Sequence, residues 1–166
     1  IRAGRGGEPF SILKFRSMMV DKTAEENFDF SKDLQRITCL GKFIRRTKID
    51  ELPQLINVIK GDMSLVGPRP APLVQVEQYS EFQKKRLLMR PGMTGLAQVN
   101  GNIALTWEQR IEYDVQYIHS FSCFLDLKIL FKTVLIVLFG EAAFAKIPEK
   151  EYESDEINTD RLSNVK

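Results

Sequence analysis

Asp50 and Glu51 stand side by side, with Lys42, Arg45, Arg46 and Lys48 upstream and Arg69 downstream between Pro68 and Pro70. Charges of both signs thus cluster around stiff backbone within about 20 residues, a combination suited to a diphosphate substrate, a divalent cation and an acidic nucleophile. If Asp50 introduces a helix, the unpaired N–H groups there favour its ionised form, the form a nucleophile or metal ligand needs. The like charge on Glu51 works the other way. Two plainer readings compete at this point. Asp50 followed by Glu51 is ordinary helix capping, and Gly67-Pro68-Arg69-Pro70 is an ordinary surface turn with an exposed arginine. Other chemistries are poorly supplied. His119 is the only histidine, Cys39 and Cys123 have no CxxC spacing, and no nucleophile motif lies near His119. No His/Cys set can therefore close a zinc site, and a Ser-His or Cys-His pair would have to run entirely through His119.

The elements that must carry these residues are unevenly specified. Leu52, Leu55, Ile56 and Ile59 form one apolar helical stripe, with Asp50 placed as an N-cap, Pro53 in the first turn and Gly61 after the last periodic position. Together they predict a helix over 51–60. A short helix around 40–46 would end where Asp50 begins. Prolines 68, 70 and 72 forbid a helix and hold Arg69 on an extended segment, which lowers the entropy lost when it clamps a phosphate. Ser80 with Gln83, and Thr106 with Gln109, match the capping box and predict helices over 80–89 and 106–119. Residues 10–16 and 96–101 read as strands, and 90–95 as a turn. Residues 21–36 read as a polar surface helix or loop.

Residues 121–139 are the most apolar stretch, yet Asp126, Lys128 and Lys132 make them too short and too charged to span a bilayer. A core helix and one lying in the membrane interface are both open from the pattern. Asp114 and Asp126 are candidates for orienting active-site groups, although a cap or a surface charge is the simpler reading. Trp107, His119 and the cysteines read as structural.

At 166 residues the chain fits one domain, and 43% hydrophobic with 28% charged residues excludes disorder, collagen-like repeats and a disulfide scaffold. The expected fold is α+β: a single compact domain over 1–145, several helices on a small mostly antiparallel sheet, then an acidic, loosely attached tail over 146–166. The net charge of +2 hides a gradient, with twelve Lys and Arg against eight Asp and Glu in residues 1–60. A basic first third suits phosphates.

Several motifs occur in an order that resembles the bacterial sugar transferase family, the monotopic phosphoglycosyl transferases. They are Arg2-x-Gly4, Gly7-x-Pro9-Phe10, Lys14-Phe15-Arg16-Ser17-Met18 and Leu40-Gly41-x-Phe43-Ile44-Arg45. Asp50-Glu51-Leu52-Pro53-Gln54-Leu55 with Asn57 follows, then the run from Lys60 to Pro70, and Arg90-Pro91-Gly92-Met93-Thr94-Gly95. The resemblance extends from Arg2 to about Gly140.

It implies transfer of a sugar 1-phosphate from a UDP-sugar to polyprenyl (undecaprenyl) phosphate by a ping-pong route. Asp50 is the implied nucleophile and Mg²⁺ ligand, and Glu51 assists by orienting Asp50 or shuttling a proton. Arg45 and Arg69 are implied phosphate contacts, Pro68 and Pro70 shape the nucleotide site, and Lys14 and Arg16 are weaker candidates that could instead meet lipid headgroups. The implied location is the cytoplasmic face of a bacterial inner membrane, which favours the interfacial reading of 121–139 and places amphipathic helices at the membrane. Family members usually begin with a re-entrant hydrophobic helix. None precedes Ile1 in this sequence, so impaired handling of the lipid acceptor is expected of the chain in this form. The alternatives are a non-catalytic membrane-surface scaffold of the same fold, and a nucleic-acid binder, which lacks the stacking aromatics it would need.

Overall fold

The structure, a computed structural model, describes residues 1–19 and 36–140. The expectations for 21–35 and for the tail beyond 140 lie outside the described residues. In chain order the elements are β1 (Arg2–Ala3), β2 (Pro9–Phe10), α1 (Cys39–Arg46), α2 (Gln54–Lys60), β3 (Ser64–Val66), α3 (Leu73–Val76) and α4 (Glu81–Lys84). β4 (Gly92–Thr94), α5 (Leu96–Val99), α6 (Trp107–His119) and α7 (Cys123–Phe139) complete the fold.

The described chain is mostly helical, and its strands form two separate pairs rather than one mostly antiparallel sheet. β1 and β2 are antiparallel, whereas β3 and β4 are parallel, with Ser64 opposite Gly92 and Val66 opposite Thr94. A parallel pair needs a crossover, and residues 67–91 supply it with α3 and α4. Three glycines allow this pair to close. A Cβ on Gly92 would lie 2.1 Å from the Gly67 nitrogen, and one on Gly95 2.3 Å from the Gly67 oxygen. Gly92→Ala is therefore expected to destabilise the fold by about 2–3 kcal/mol through backbone displacement, measured as a lower urea midpoint.

The strand expected over 10–16 ends at Phe10. Beyond it the backbone finds partners other than a neighbouring strand: Leu13 donates its N–H to Asn57 Oδ1 at 3.0 Å and Phe15 donates to the Asp50 carbonyl at 3.0 Å. The strand expected over 96–101 is instead α5. Gly95 enters in extended backbone, and one helical turn lets Leu96 and Val99, three residues apart, face the same cluster. That cluster centres on Val66, Val99, Tyr117 and Ile129.

Both capping boxes form reciprocally, at Ser80 with Gln83 and Thr106 with Gln109. Gly61 closes α2 with φ 84°, as its place after the stripe predicts. The orientation of α2 is the surprise. Gln54 and Asn57 are its buried residues, while Leu52 just ahead of it and Leu55, Ile56 and Ile59 within it are exposed, Ile59 by 85%. α7 likewise turns Phe124, Leu127, Phe131 and Leu138 outward and fully buries only Ile129. Among the described residues no helix is long and apolar enough to cross a membrane.

Candidate active site

The inward polar face of α2 explains how the acidic pair is held. Asn57 donates through Nδ2 to the Ser11 carbonyl at 2.9 Å and to Asp62 at 3.1 Å, while its Oδ1 accepts from Leu13. Residues 11–15 are thereby laced onto α2, and Lys14 is aimed at the dyad from between two anchored peptide groups.

Asp50 is not an N-cap. It lies inside a 3-10 turn, Ile49–Glu51, entered through Lys48 in the left-handed conformation (φ 57°). Successive i→i+3 bonds, Glu51 to Lys48 at 3.1 Å and Leu52 to Ile49 at 3.1 Å, wind the chain tightly before Pro53 and α2. The turn buries Asp50 to 7% exposure while leaving it on the wall of a cavity of about 660 Å³. No described residue hydrogen-bonds the Asp50 carboxylate.

Glu51 is engaged quite differently. Its Oε1 accepts from Lys14 Nζ at 2.8 Å and from Arg69 Nη2 at 3.3 Å. Burial pushes the Glu51 carboxyl up, but Arg69 and Lys14 beside it, with Lys48 further off, outweigh burial and hold it below the ordinary carboxylate range. A depressed carboxyl contributes stability above its unfolded value that is lost as pH falls through the folded one. Thus the difference in unfolding free energy between the native chain and Glu51→Gln should be flat above about pH 5 and decline as pH falls from 4.5, the ordinary value, through the lower folded one.

Around these acids the cavity is strongly basic. Arg2, Lys14, Arg45, Arg46, Lys48, Arg69, Arg86 and Arg110 line it, against Asp50, Glu51 and Asp114. Of the residues expected from the sequence, Asp50, Glu51, Lys14, Arg45, Arg69 and Pro70 are brought together here. Two are not. Arg16 is exposed and off the cavity wall. Pro68 is buried behind it, where its carbonyl accepts from Gly92 at 2.9 Å and so ties the Arg69 segment to β4.

Lys48→Gly separates backbone from charge in this site. It should gain about 1 kcal/mol by removing left-handed strain, measurable by thermal unfolding, while weakening anion binding in the cleft.

Arg86 was not singled out by the sequence, whereas Asp114 and Asp126 were candidates for orienting active-site groups. Arg86, 5% exposed, pairs with Asp114 and donates to the Tyr79 hydroxyl at 2.9 Å and to the Arg69 carbonyl at 2.9 Å. Burial pushes the Asp114 carboxyl up to about 6, against the opposing pull of Arg86. Asp114 is thus neither cap nor surface charge. The signal that betrays it is its place between Ile111 and Val115 on the buried face of α6, since a carboxylate within an apolar stripe demands a partner. Asp126 accepts from the Tyr117 hydroxyl at 2.7 Å and ties α7 to α6. Trp107, expected to be purely structural, borders the cavity.

Comparison with known proteins gives the arrangement a context. Residues 1–140 match the family described as bacterial sugar transferase. The chain is 48% identical over 141 residues to the uncharacterized sugar transferase EpsL of Bacillus subtilis, covering 85% of this chain and 69% of that protein. It is 42% identical over 158 residues to the undecaprenyl-phosphate galactose phosphotransferase of Salmonella typhimurium, covering 86% of this chain and 33% of that one. It is 40% identical over 151 residues to the UDP-glucose:undecaprenyl-phosphate glucose-1-phosphate transferase of Escherichia coli, with 86% and 32% covered. The chain therefore spans about a third of those longer relatives.

Proposed function

Because the chain belongs to the bacterial sugar transferase family, we propose that it moves a sugar 1-phosphate from a UDP-sugar to undecaprenyl phosphate, with Asp50 as the nucleophile. The observation that carries this reading is the contrast between the two acids. Asp50 opens on a cation-lined cleft with no described hydrogen-bond partner, while its neighbour Glu51 is bound to Lys14 and Arg69.

The first transfer forms a bond from an Asp50 carboxylate oxygen to the β-phosphorus of the donor and breaks the bond from that phosphorus to the oxygen bridging to UMP. UMP departs with the electron pair, leaving the sugar phosphate esterified to Asp50. An oxygen of undecaprenyl phosphate then attacks the same phosphorus, the bond to Asp50 breaks, and the carboxylate returns unchanged. No net proton is required if both phosphates react ionised.

Lys14 and Arg69, held by Glu51, and Arg45 lie where charge on the diphosphate needs compensation, and such electrostatics supply most of phosphoryl-transfer catalysis. Glu51 acts in this scheme as an anion that positions cations rather than as an acid.

A magnesium ion suits the donor set. Described residues offer no cluster of three or more metal-ligating side chains, but Mg²⁺ commonly takes one or two carboxylates with substrate phosphate oxygens supplying the rest. Asp50 is the open carboxylate that would hold it, and the ion would neutralise phosphoryl charge.

The outward apolar residues of α2 and α7 suit a chain resting on the cytoplasmic leaflet of the inner membrane, where its lipid acceptor resides. The product, a diphosphate-linked sugar on a polyprenyl carrier, would initiate surface-polysaccharide assembly. The test is UMP release from a panel of UDP-sugars with Mg²⁺ and lipid. A non-catalytic scaffold would release none from any of them.

A further inference from the structure

The cleft wall beyond Arg69 takes no part in the phosphoryl chemistry just described, yet it is rigidly built. Trp107 opens α6 half-buried, on the cavity. The Arg86 guanidinium lies 5.3 Å from its ring centroid, and the buried Tyr79 ring packs at 6.2 Å, tilted by 44°. Arg86 is itself immobilised by Asp114, Tyr79 and the Arg69 carbonyl. An indole braced in this way loses little freedom when a flat ligand stacks on it.

α5 packs against α6 and brings Gln98 to the same cavity. Its Nε2 donates to the Met93 carbonyl at 3.0 Å, which fixes the amide orientation and leaves Oε1 as a buried acceptor without a partner among the described residues. A buried acceptor left unpaired costs free energy that a ligand N–H would recover.

We infer that Trp107 is the stacking platform for the nucleobase of the donor, and that Gln98 Oε1 accepts a hydrogen bond from the imide N–H of uracil. This rests on the donor being a UDP-sugar. The sugar is bonded to the phosphoryl group that Asp50 attacks, so it must stay beside the dyad. The base is separated from that phosphorus by a phosphate and a ribose. The structure shows a matching separation: Glu51 touches Arg69, Arg86 holds the Arg69 carbonyl, and Trp107 lies against Arg86. Two arginines therefore stand between the acids and the aromatic platform. Uracil also supplies both things the wall is built to meet, a flat face and an N–H donor.

Trp107 is the sole tryptophan of the chain, so its fluorescence reports on the platform directly. The whole chain in lipid nanodiscs is titrated with UMP, with ribose 5-phosphate and with UMP methylated at N3, following indole emission and, independently, heat of binding. UMP should quench Trp107 saturably, ribose 5-phosphate should bind without quenching, and the methylated nucleotide should bind roughly 5-fold more weakly than UMP. Trp107→Leu should weaken UMP at least about 10-fold while leaving ribose 5-phosphate unchanged. The wild-type titrations stand even if that variant fails to fold.

Calorimetric binding of UMP with unaltered indole emission, or equal affinity for UMP and ribose 5-phosphate, overturns the platform but leaves the donor class intact. Equal affinity for UMP and its N3-methyl form overturns the role of Gln98. Absence of UMP binding together with absence of UMP release from every UDP-sugar overturns this inference and the function beneath it.

Discussion

Asp50→Asn should reduce UMP release from the donor sugar by at least about 10³-fold, because an amide cannot form the acyl phosphate through which transfer runs. Mass spectrometry of the native chain quenched with UDP-sugar should find a phosphosugar increment on Asp50, and the Asn variant should carry none. The stability cost should stay within about 1 kcal/mol, since no described residue hydrogen-bonds that carboxylate and the exchange is nearly isosteric. This pairing of a large kinetic loss with a small thermodynamic one is diagnostic. A residue that merely capped a helix would show the reverse. Retained UMP release in the Asn variant would remove Asp50 as nucleophile.

Breaking the Arg86–Asp114 pair should produce the largest loss of stability, and an unequal one. Asp114→Leu leaves a guanidinium that cannot shed its charge inside the fold, at a cost of about 3–5 kcal/mol. Arg86→Met leaves a carboxyl that can take up a proton, and burial already lifts Asp114 to about 6 with its partner present. The Arg86→Met penalty should therefore be smaller at pH 5 than at pH 8. A carboxyl raised in the folded state favours folding below its unfolded value and loses that advantage as pH rises through the folded one. The Asp114→Leu penalty should run the other way, larger at pH 5 than at pH 8, because the native chain loses the Asp114 contribution as pH rises through about 6 and the variant has no such group to titrate. The double variant should recover most of the loss, because a hydrophobic pair of similar volume avoids desolvating two charges. Urea unfolding of the three variants at both pH values tests this, and equal, pH-independent losses in the two single variants would contradict it.

Activity should fall further than stability alone explains in Arg86→Met. That side chain holds the Arg69 carbonyl and braces Trp107, so its loss loosens one phosphate-facing cation and one wall of the cleft together.

Features set by short-range chemistry were legible in the residues themselves. The capping boxes at Ser80 and Thr106, the Gly61 terminus, the proline-stiffened Arg69 segment and the adjacency of Asp50 and Glu51 depend on neighbours a few positions apart, whose propensities act wherever the chain goes. The strand expected over 96–101 failed for the complementary reason. A strand needs a partner ladder, which 96–101 does not find among the described residues, and one helical turn places Leu96 and Val99 on the shared cluster instead.

What only the tertiary structure decided was the company each side chain keeps. Periodicity identified the apolar stripe of α2 but was silent on which face would point inward, and Asn57, by bonding Ser11, Leu13 and Asp62, turned the polar face in. Arg86 looked like one more charge beside Lys84 and Lys85 until a carboxylate 28 positions later met it in the interior. Trp107 became part of the cleft because the crossover brought Tyr79 and Arg86 beneath it. Local preferences are properties of a few consecutive residues. Burial, ion pairing and cavity shape arise from contacts between segments far apart in the chain, which come into being only when it closes on itself.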